Sequence, residues 1–382
     1  MIIDQIVDKR RILIIFGTRP ECIKLAPLFH ELKNDKFFDV KILETGQHKD
    51  LLLSTKKRLN LDSHYNLKIM SPNQTLAEIT AKAIKGISSH LNKIEPNMVI
   101  VQGDTTSAMA GALSAFYNNI PVAHVEAGLR TFDINEPYPE ELNRKIISNI
   151  ASLNFAPTKS EFNNLINEGV KKKTITLTGN TVIDCLNWVL KNTNPSIQTV
   201  ELIKRLSPHY IIVTLHRREN FGQKLQQQIQ ALERLVDIYP EINFLLPVHN
   251  NPNVQKALFK LPDKKNIFLE KPFNYVDFSH LLKKCDFIIT DSGGIQEEAP
   301  FLNKKVFILR NKTEREAVVK LGYATLLGSN KNIIINEISN FISNFEKLKN
   351  NKAMVSPYGD GQASQKIVKS IKKYFSKRKH LK

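Results

Sequence analysis

The stretch Arg11-Ile12-Leu13-Ile14-Ile15-Phe16-Gly17-Thr18-Arg19-Pro20-Glu21 decides the fold. A short, continuous apolar run of this kind reads as a strand buried on both faces. Glycine then permits a tight turn, Pro20 suits the first helical position, and a helical pattern runs from Glu21 to Leu32. A strand that turns directly into a helix, repeated along a chain, predicts parallel sheets covered by helices on both faces.

The repetition is present on both sides of a polar passage. Val40 to Thr45, Met98 to Val101, Pro121 to Val125 and Leu153 to Phe155 read as further strands, with a helix over Thr105 to Tyr117 between two of them. Lys191-Asn192-Thr193-Asn194-Pro195-Ser196 has little apolar content and a helix breaker, as expected of an interdomain connection. A second series follows, with strands at Tyr210 to Thr214, Ile242 to Leu246, Asn266 to Leu269, Phe287 to Thr290 and Lys305 to Leu309. A chain of 382 residues exceeds the roughly 250–300 that one core supports, so two α/β domains are expected.

Composition narrows the class. A chain with 42% hydrophobic residues buries a core. Cys22, Cys185 and Cys285 show no paired or metal-ligand spacing, and no apolar run approaches the roughly 18–20 residues of a membrane span. No export signal is read at the start, so a soluble, cytoplasmic protein without membrane insertion is expected. The formal charge of +18 raises nucleic acid as a partner. The lysines are scattered, apart from a terminal group at Lys369, Lys372, Lys373, Lys377, Arg378, Lys379 and Lys382, and aromatic-basic modules are absent, so a solvated surface is the expectation.

In open α/β sheets ligands sit beyond the carboxyl ends of the strands, so the residues just after each strand are the candidates for chemistry. Arg19 and Lys24 follow the first strand. Asp104 follows the Met98 strand and Glu126 the Pro121 strand, while Glu140 lies in a loop whose two prolines precede a helix. Carboxylates gathered in a low-dielectric site have separated pKa values, so one serves as base and another as acid. A helix cap is the competing role for Asp104. His216 follows the Tyr210 strand, and Asp291-Ser292-Gly293-Gly294 follows the Phe287 strand, where small residues expose backbone donors to a diphosphate. Glu298, a helical turn along, is placed for ribose hydroxyls, and Arg315 adds charge from the next loop.

In order along nearly the whole chain stand Phe16-Gly-Thr-Arg-Pro-Glu21, Thr45-Gly-Gln-His48, Gly103-Asp-Thr-Thr106, His124-Val-Glu-Ala-Gly-Leu-Arg130, Pro139-Glu-Glu141, Thr178-Gly-Asn-Thr181, His216-Arg-Arg-Glu219, Pro247-Val-His249, Thr290 to Pro300 and Tyr358-Gly-Asp-Gly361. Ten such segments in register resemble the non-hydrolysing UDP-N-acetylglucosamine 2-epimerases. The resemblance implies a GT-B-like α/β architecture of two Rossmann-like domains facing each other across a deep cleft, residues 10–190 and 200–360, with a final helix over 362–378 returning to the first. It implies a cofactor-free isomerase, without metal, nicotinamide or flavin, which inverts C2 of UDP-N-acetylglucosamine by anti elimination of UDP to 2-acetamidoglucal and re-addition. By the same resemblance Asp104, Glu126, Glu140, His216, Lys24 and Arg19 are catalytic, and Phe278, Ser292, Gly293, Gly294, Glu298 and Arg315 bind UDP. Gln47, Gln74, Arg217 and His249 match an adjoining allosteric site, and a homodimer is implied. The alternatives are a 2-epimerase of a modified UDP-sugar, such as a diacetamido uronic acid, and a basic nucleic-acid-binding protein.

Overall fold

A computed structural model describes residues 9–46, 50–71, 73–345 and 356–379, without the side chains of Asp50, Leu51, Arg218, Arg378 and Lys379. The chain divides into two compact units: one runs to Trp188 and takes in the chain from Tyr358 onward, and the other is Val189–Pro357.

The first unit holds a seven-stranded sheet: β1 (Arg10–Phe16), β2 (Phe38–Glu44), β3 (Tyr65–Asn66), β4 (Met98–Gln102), β5 (Val122–Val125), β6 (Leu153–Ala156) and β7 (Ile175–Leu177). Their order is β3-β2-β1-β4-β5-β6-β7 and every pairing is parallel. Ile12 to Ile15 and Met98 to Val101 are fully buried, as central strands covered on both faces must be. The helix Thr106–Tyr117 packs against β4 with Ala108, Ala110, Gly111, Ala112 and Ala115, and these small residues let its backbone come close to the sheet.

The second unit holds six strands, β8 (Tyr210–Thr214), β9 (Asn243–Pro247), β10 (Ile267–Glu270), β11 (Ile288–Thr290), β12 (Val306–Ile308) and β13 (Ala324–Leu326), in the order β10-β9-β8-β11-β12-β13, again parallel. One face is sealed by Phe244, Phe287 and Phe307 with Leu225, Leu232 and Leu235 of the helix Gln223–Ile238.

The chain order reverses between β1 and β4 in the first sheet, and between β8 and β11 in the second. At such a point the two flanking crossover connections leave in opposite directions and open a crevice at the carboxyl ends of the strands. Every central strand stands within a residue or two of the reading above. The edge strands β3, β7 and β13 have two or three residues each, too few for a pattern to show in the sequence. The first helix begins at Arg19, so Pro20 is its second residue rather than its first. Lys191 and Asn192 close the helix Thr181–Asn192, and Ser196 caps the next, Ile197–Leu206. The last helix, Ala363–Lys379, belongs to the first unit. Asp184 accepts hydrogen bonds from the backbone N–H groups of Ala363 and Ser364 at its start, and Lys372 pairs with Asp35 at 2.5 Å. Among the described residues no helix is long and apolar enough to cross a membrane.

Candidate active site

The carboxyl ends of β1, β2 and β4 crowd together. Thr45 Oγ1 and Ser107 Oγ hydrogen-bond at 2.8 Å, and a Cβ on Gly17 would stand 2.3 and 2.2 Å from them. Gly17 is therefore required by close approach, since its φ is not among the positive ones. Arg19 opens the helix that follows and is half-buried.

Glu126 follows β5 in the left-handed region, with φ of 62°. A non-glycine residue there stores strain of about 1–3 kcal/mol, which persists only where the surroundings hold it. Here they do: Lys24 Nζ donates to both carboxylate oxygens, at 2.7 and 2.6 Å, and Gln102 Nε2 donates to Oε2 at 2.6 Å. Lys24 and Glu126 are 14% and 8% exposed, so little solvent screens the pair.

Asp104 does not cap the helix after β4. Thr105 does, its hydroxyl accepting from Ala108 N. The Asp104 carboxylate is instead gripped by Arg144, whose Nε and Nη2 each lie 2.8 Å from Oδ2, while Asn143 Nδ2 donates to the Asp104 carbonyl. Because Gln102 of β4 is in register with Val125 of β5, Asp104 and Glu126 leave adjacent strand ends, each with its own cation. Glu140, expected in a loop, is the first residue of the helix Glu140–Ile150, where a carboxylate is favoured by the helix dipole. Its neighbour Glu141 is buried and braces the preceding loop, accepting from Thr131 N, Phe132 N and Arg144.

Two residues quoted only as parts of motifs prove to be supports. His124 is fully buried in β5 and its Nε2 donates to the Gly103 carbonyl at 2.7 Å, steadying the turn that carries Asp104. Burial lowers its pKa to about 4, so the ring is neutral near pH 7. Glu21 is buried behind the β1 turn and burial raises its pKa to about 7.

In the second unit the corresponding point is occupied by Asp291, 1% exposed. It accepts from His216 N, Arg217 N and Asn220 Nδ2, and His216 Nδ1 lies 2.9 Å from its Oδ1. Burial would raise its pKa, but the His216 hydrogen bond and charge, together with the two backbone donors, hold it below the ordinary carboxylate range. With Nδ1 committed to Asp291, the tautomer and ring direction of His216 are set and Nε2 is the nitrogen left for chemistry.

Ser292 precedes the short helix Gly293–Glu298. Gly294 is exposed, and a Cβ there meets nothing within 4 Å; one on Gly293 would meet Arg315 Nη1 at 2.9 Å. Arg315 is thus laid along this turn, held by Glu297 through Nε and Nη2 and by Glu314 through Nη1. Burial opposes the charge of Glu314, yet Arg315 and Arg310 bring its pKa down to about 2. Glu298 is buried and accepts from Tyr275 Oη at 2.6 Å, and half-buried Phe278 lies on the helix Tyr275–Lys284 begun by that tyrosine.

Of the second group, Gln47 lies outside the described residues. Gln74 braces its own loop, donating to Ile69 O and accepting from Ser71 N. Arg217 and exposed His249 belong to the second unit, where the His216 and His249 rings stand 5.7 Å apart.

The family model described as UDP-N-acetylglucosamine 2-epimerase matches residues 30–372. The chain belongs to this family. It is 43% identical over 369 residues to the UDP-N-acetylglucosamine 2-epimerase of Campylobacter jejuni, covering 94% of this chain and 96% of that one. To the enzyme of Escherichia coli K12 it is 40% identical over 372 residues, with 95% and 98% covered. Among solved structures it resembles the Neisseria meningitidis UDP-GlcNAc 2-epimerase bound to UDP-GlcNAc, with a TM-score of 0.85 at 38% identity, over 95% of this chain and all (100%) of that one. Staphylococcus aureus MnaA with UDP gives a TM-score of 0.86 at 40% identity, covering 96% and 97%. The two Rossmann-like sheets are therefore those of the GT-B-type 2-epimerases, as expected from the sequence.

Membership in the 2-epimerase family gives the two strand-end clusters a chemical context. The first unit offers carboxylates in separate cationic settings, suited to proton transfer at carbon. The second offers backbone donors, an oriented imidazole and an arginine, suited to a diphosphate. Asp291, Gln102 and His124 escaped the sequence reading as functional supports. Gln102 carried no signal beyond its place at the end of β4, whereas Asp291 and His124 stood inside the quoted motifs, which do not show the partners they support.

Proposed function

We propose that this chain interconverts UDP-N-acetylglucosamine and UDP-N-acetylmannosamine without hydrolysing either. The C2 proton passes to a carboxylate, the C–H pair forms the C1=C2 bond of 2-acetamidoglucal, and the C1–O electrons leave with UDP. Re-addition of UDP at C1 with protonation on the other face of C2 completes the inversion. A C2 hydrogen is too weakly acidic for a carboxylate to remove alone, so departure of the diphosphate accompanies or precedes its loss. Asp104, Glu126 and Glu140 are assigned to the proton transfers, with Lys24 and Arg19 beside them. His216, Ser292, Gly293, Gly294 and Arg315 are assigned to the diphosphate, and Phe278 and Glu298 to the nucleoside.

The observation that carries this reading is the pair of carboxylates on adjacent strand ends, Glu126 against Lys24 and Asp104 against Arg144, in a chain of this family. The reading includes a homodimer and a cytoplasmic location; three buried free cysteines support a reducing compartment. The test is incubation with UDP-N-acetylglucosamine in deuterated water, followed by proton NMR. UDP-N-acetylmannosamine carrying deuterium at C2 is expected, and Glu126→Gln or Asp104→Asn should slow its appearance by about 10²-fold or more. Product without deuterium refutes elimination, and free N-acetylmannosamine with UDP points to hydrolysis instead.

A further inference from the structure

Glu21 occupies the third position of its helix, and with Thr18 it forms a capping box. In such a box the glutamate reaches back to the N-cap N–H, which needs only one of its acceptor positions. Here both oxygens are engaged and the residue is 1% exposed. Oε2 accepts from Gly17 N at 3.1 Å, and from Thr18 N and Thr18 Oγ1 at 2.8 Å each. Oε1 accepts from Thr105 Oγ1 at 2.7 Å, across the strand reversal between β1 and β4. That hydroxyl simultaneously caps the Thr106–Tyr117 helix by accepting from Ala108 N at 3.0 Å.

We infer that Glu21 is a positioning residue for the reaction, its carboxyl group fastening the β1 turn that carries Arg19 to the β4 turn that carries Asp104. The inference rests on the function proposed above. Thr18 precedes Arg19 and Thr105 follows Asp104, so the clamp grips the residue next to each functional side chain and touches neither. A helix cap alone would use Oε2 and leave Oε1 to solvent. The bridge to Thr105 is the part that a cap does not require. Displacing a reacting group by about 1 Å is enough to slow catalysis about 10²-fold.

The full-length chain is compared with Glu21→Ala, Glu21→Gln, Thr105→Val and Thr105→Ser. Glu21→Ala and Thr105→Val are each expected to lower kcat about 10²-fold while KM changes less than about threefold, and the double variant to be no slower than either single one. Glu21→Gln and Thr105→Ser should restore kcat to within about fivefold of the parent, because the amide bridges both turns and serine keeps the hydroxyl. If Glu21→Ala does not fold, the Thr105→Val and Thr105→Ser pair gives the same comparison. Single variants that keep kcat within threefold, or effects that multiply in the double variant, overturn the inference. A parent without epimerase activity refutes the proposed reaction rather than the clamp. Amide hydrogen exchange then decides: Thr105→Val should speed exchange at Gly17 and Thr18 about tenfold or more, and unchanged protection there refutes the clamp.

Discussion

Replacing Glu21 by glutamine should leave the protein unchanged in stability at pH 4.5 and stabilise it above neutrality. Burial, opposed by hydrogen bonds from Thr105, Thr18 and Gly17, raises the carboxyl pKa from 4.5 to about 7. Below pH 4.5 the group is protonated in both the folded and the unfolded chain, and the burial of a neutral acid has no pH-dependent cost. Between pH 4.5 and 7 the unfolded chain releases the proton and the folded chain keeps it, so stability falls as pH rises. Above about 7 both states are ionised and the full penalty stands, about 3 kcal/mol for a change of this size. Glutamine never ionises, and the parent-to-variant difference removes the contributions of all other titrating groups. Trp188, the single tryptophan, belongs to the same unit and stacks on His30 at 5.3 Å, so its fluorescence reports unfolding of that unit in urea. The Glu21→Gln advantage should grow from near zero at pH 4.5 to about 3 kcal/mol at pH 8. A difference that stays within about 0.5 kcal/mol over that range refutes the account of Glu21 as a buried acid.

Asp291→Asn should lower turnover by about 10²-fold, because the new amide NH2 faces the donors of His216, Arg217 and Asn220 and the imidazole loses its fixed tautomer; turnover within threefold of the parent removes Asp291 from the site. The two adjacent glycines should behave differently. Gly294→Ala, with open space around the new Cβ, should leave the thermal midpoint in place and weaken UDP binding about tenfold by calorimetry. Gly293→Ala should push Arg315 off Glu297 and destabilise the protein by about 1–2 kcal/mol. Equal effects of the two substitutions on the midpoint contradict the packing described for this turn.

The sequence by itself determined the α/β class, two series of strands, the strand ends at which the candidate groups stand, and the family. These are legible because a central parallel strand must be apolar throughout, and because Gly-Thr-Arg-Pro, Gly-Asp-Thr-Thr and Asp-Ser-Gly-Gly mark where each strand turns into its helix. The edge strands β3, β7 and β13 were invisible because two or three residues impose no pattern, whereas the four-residue edge strand β10 was legible.

Only the tertiary structure decided the partners. Lys24 meets Glu126 across 102 positions, Glu21 meets Thr105 across 84, His216 meets Asp291 across 75 and Arg144 meets Asp104 across 40. Hydrophobic periodicity is local, whereas these pairings follow from the order in which strands lie side by side and from where that order reverses. A carboxylate at a strand end can therefore be read from the chain, but the cation that holds it, and with it the environment that tunes its chemistry, is supplied by a neighbouring strand or helix that the linear sequence does not specify.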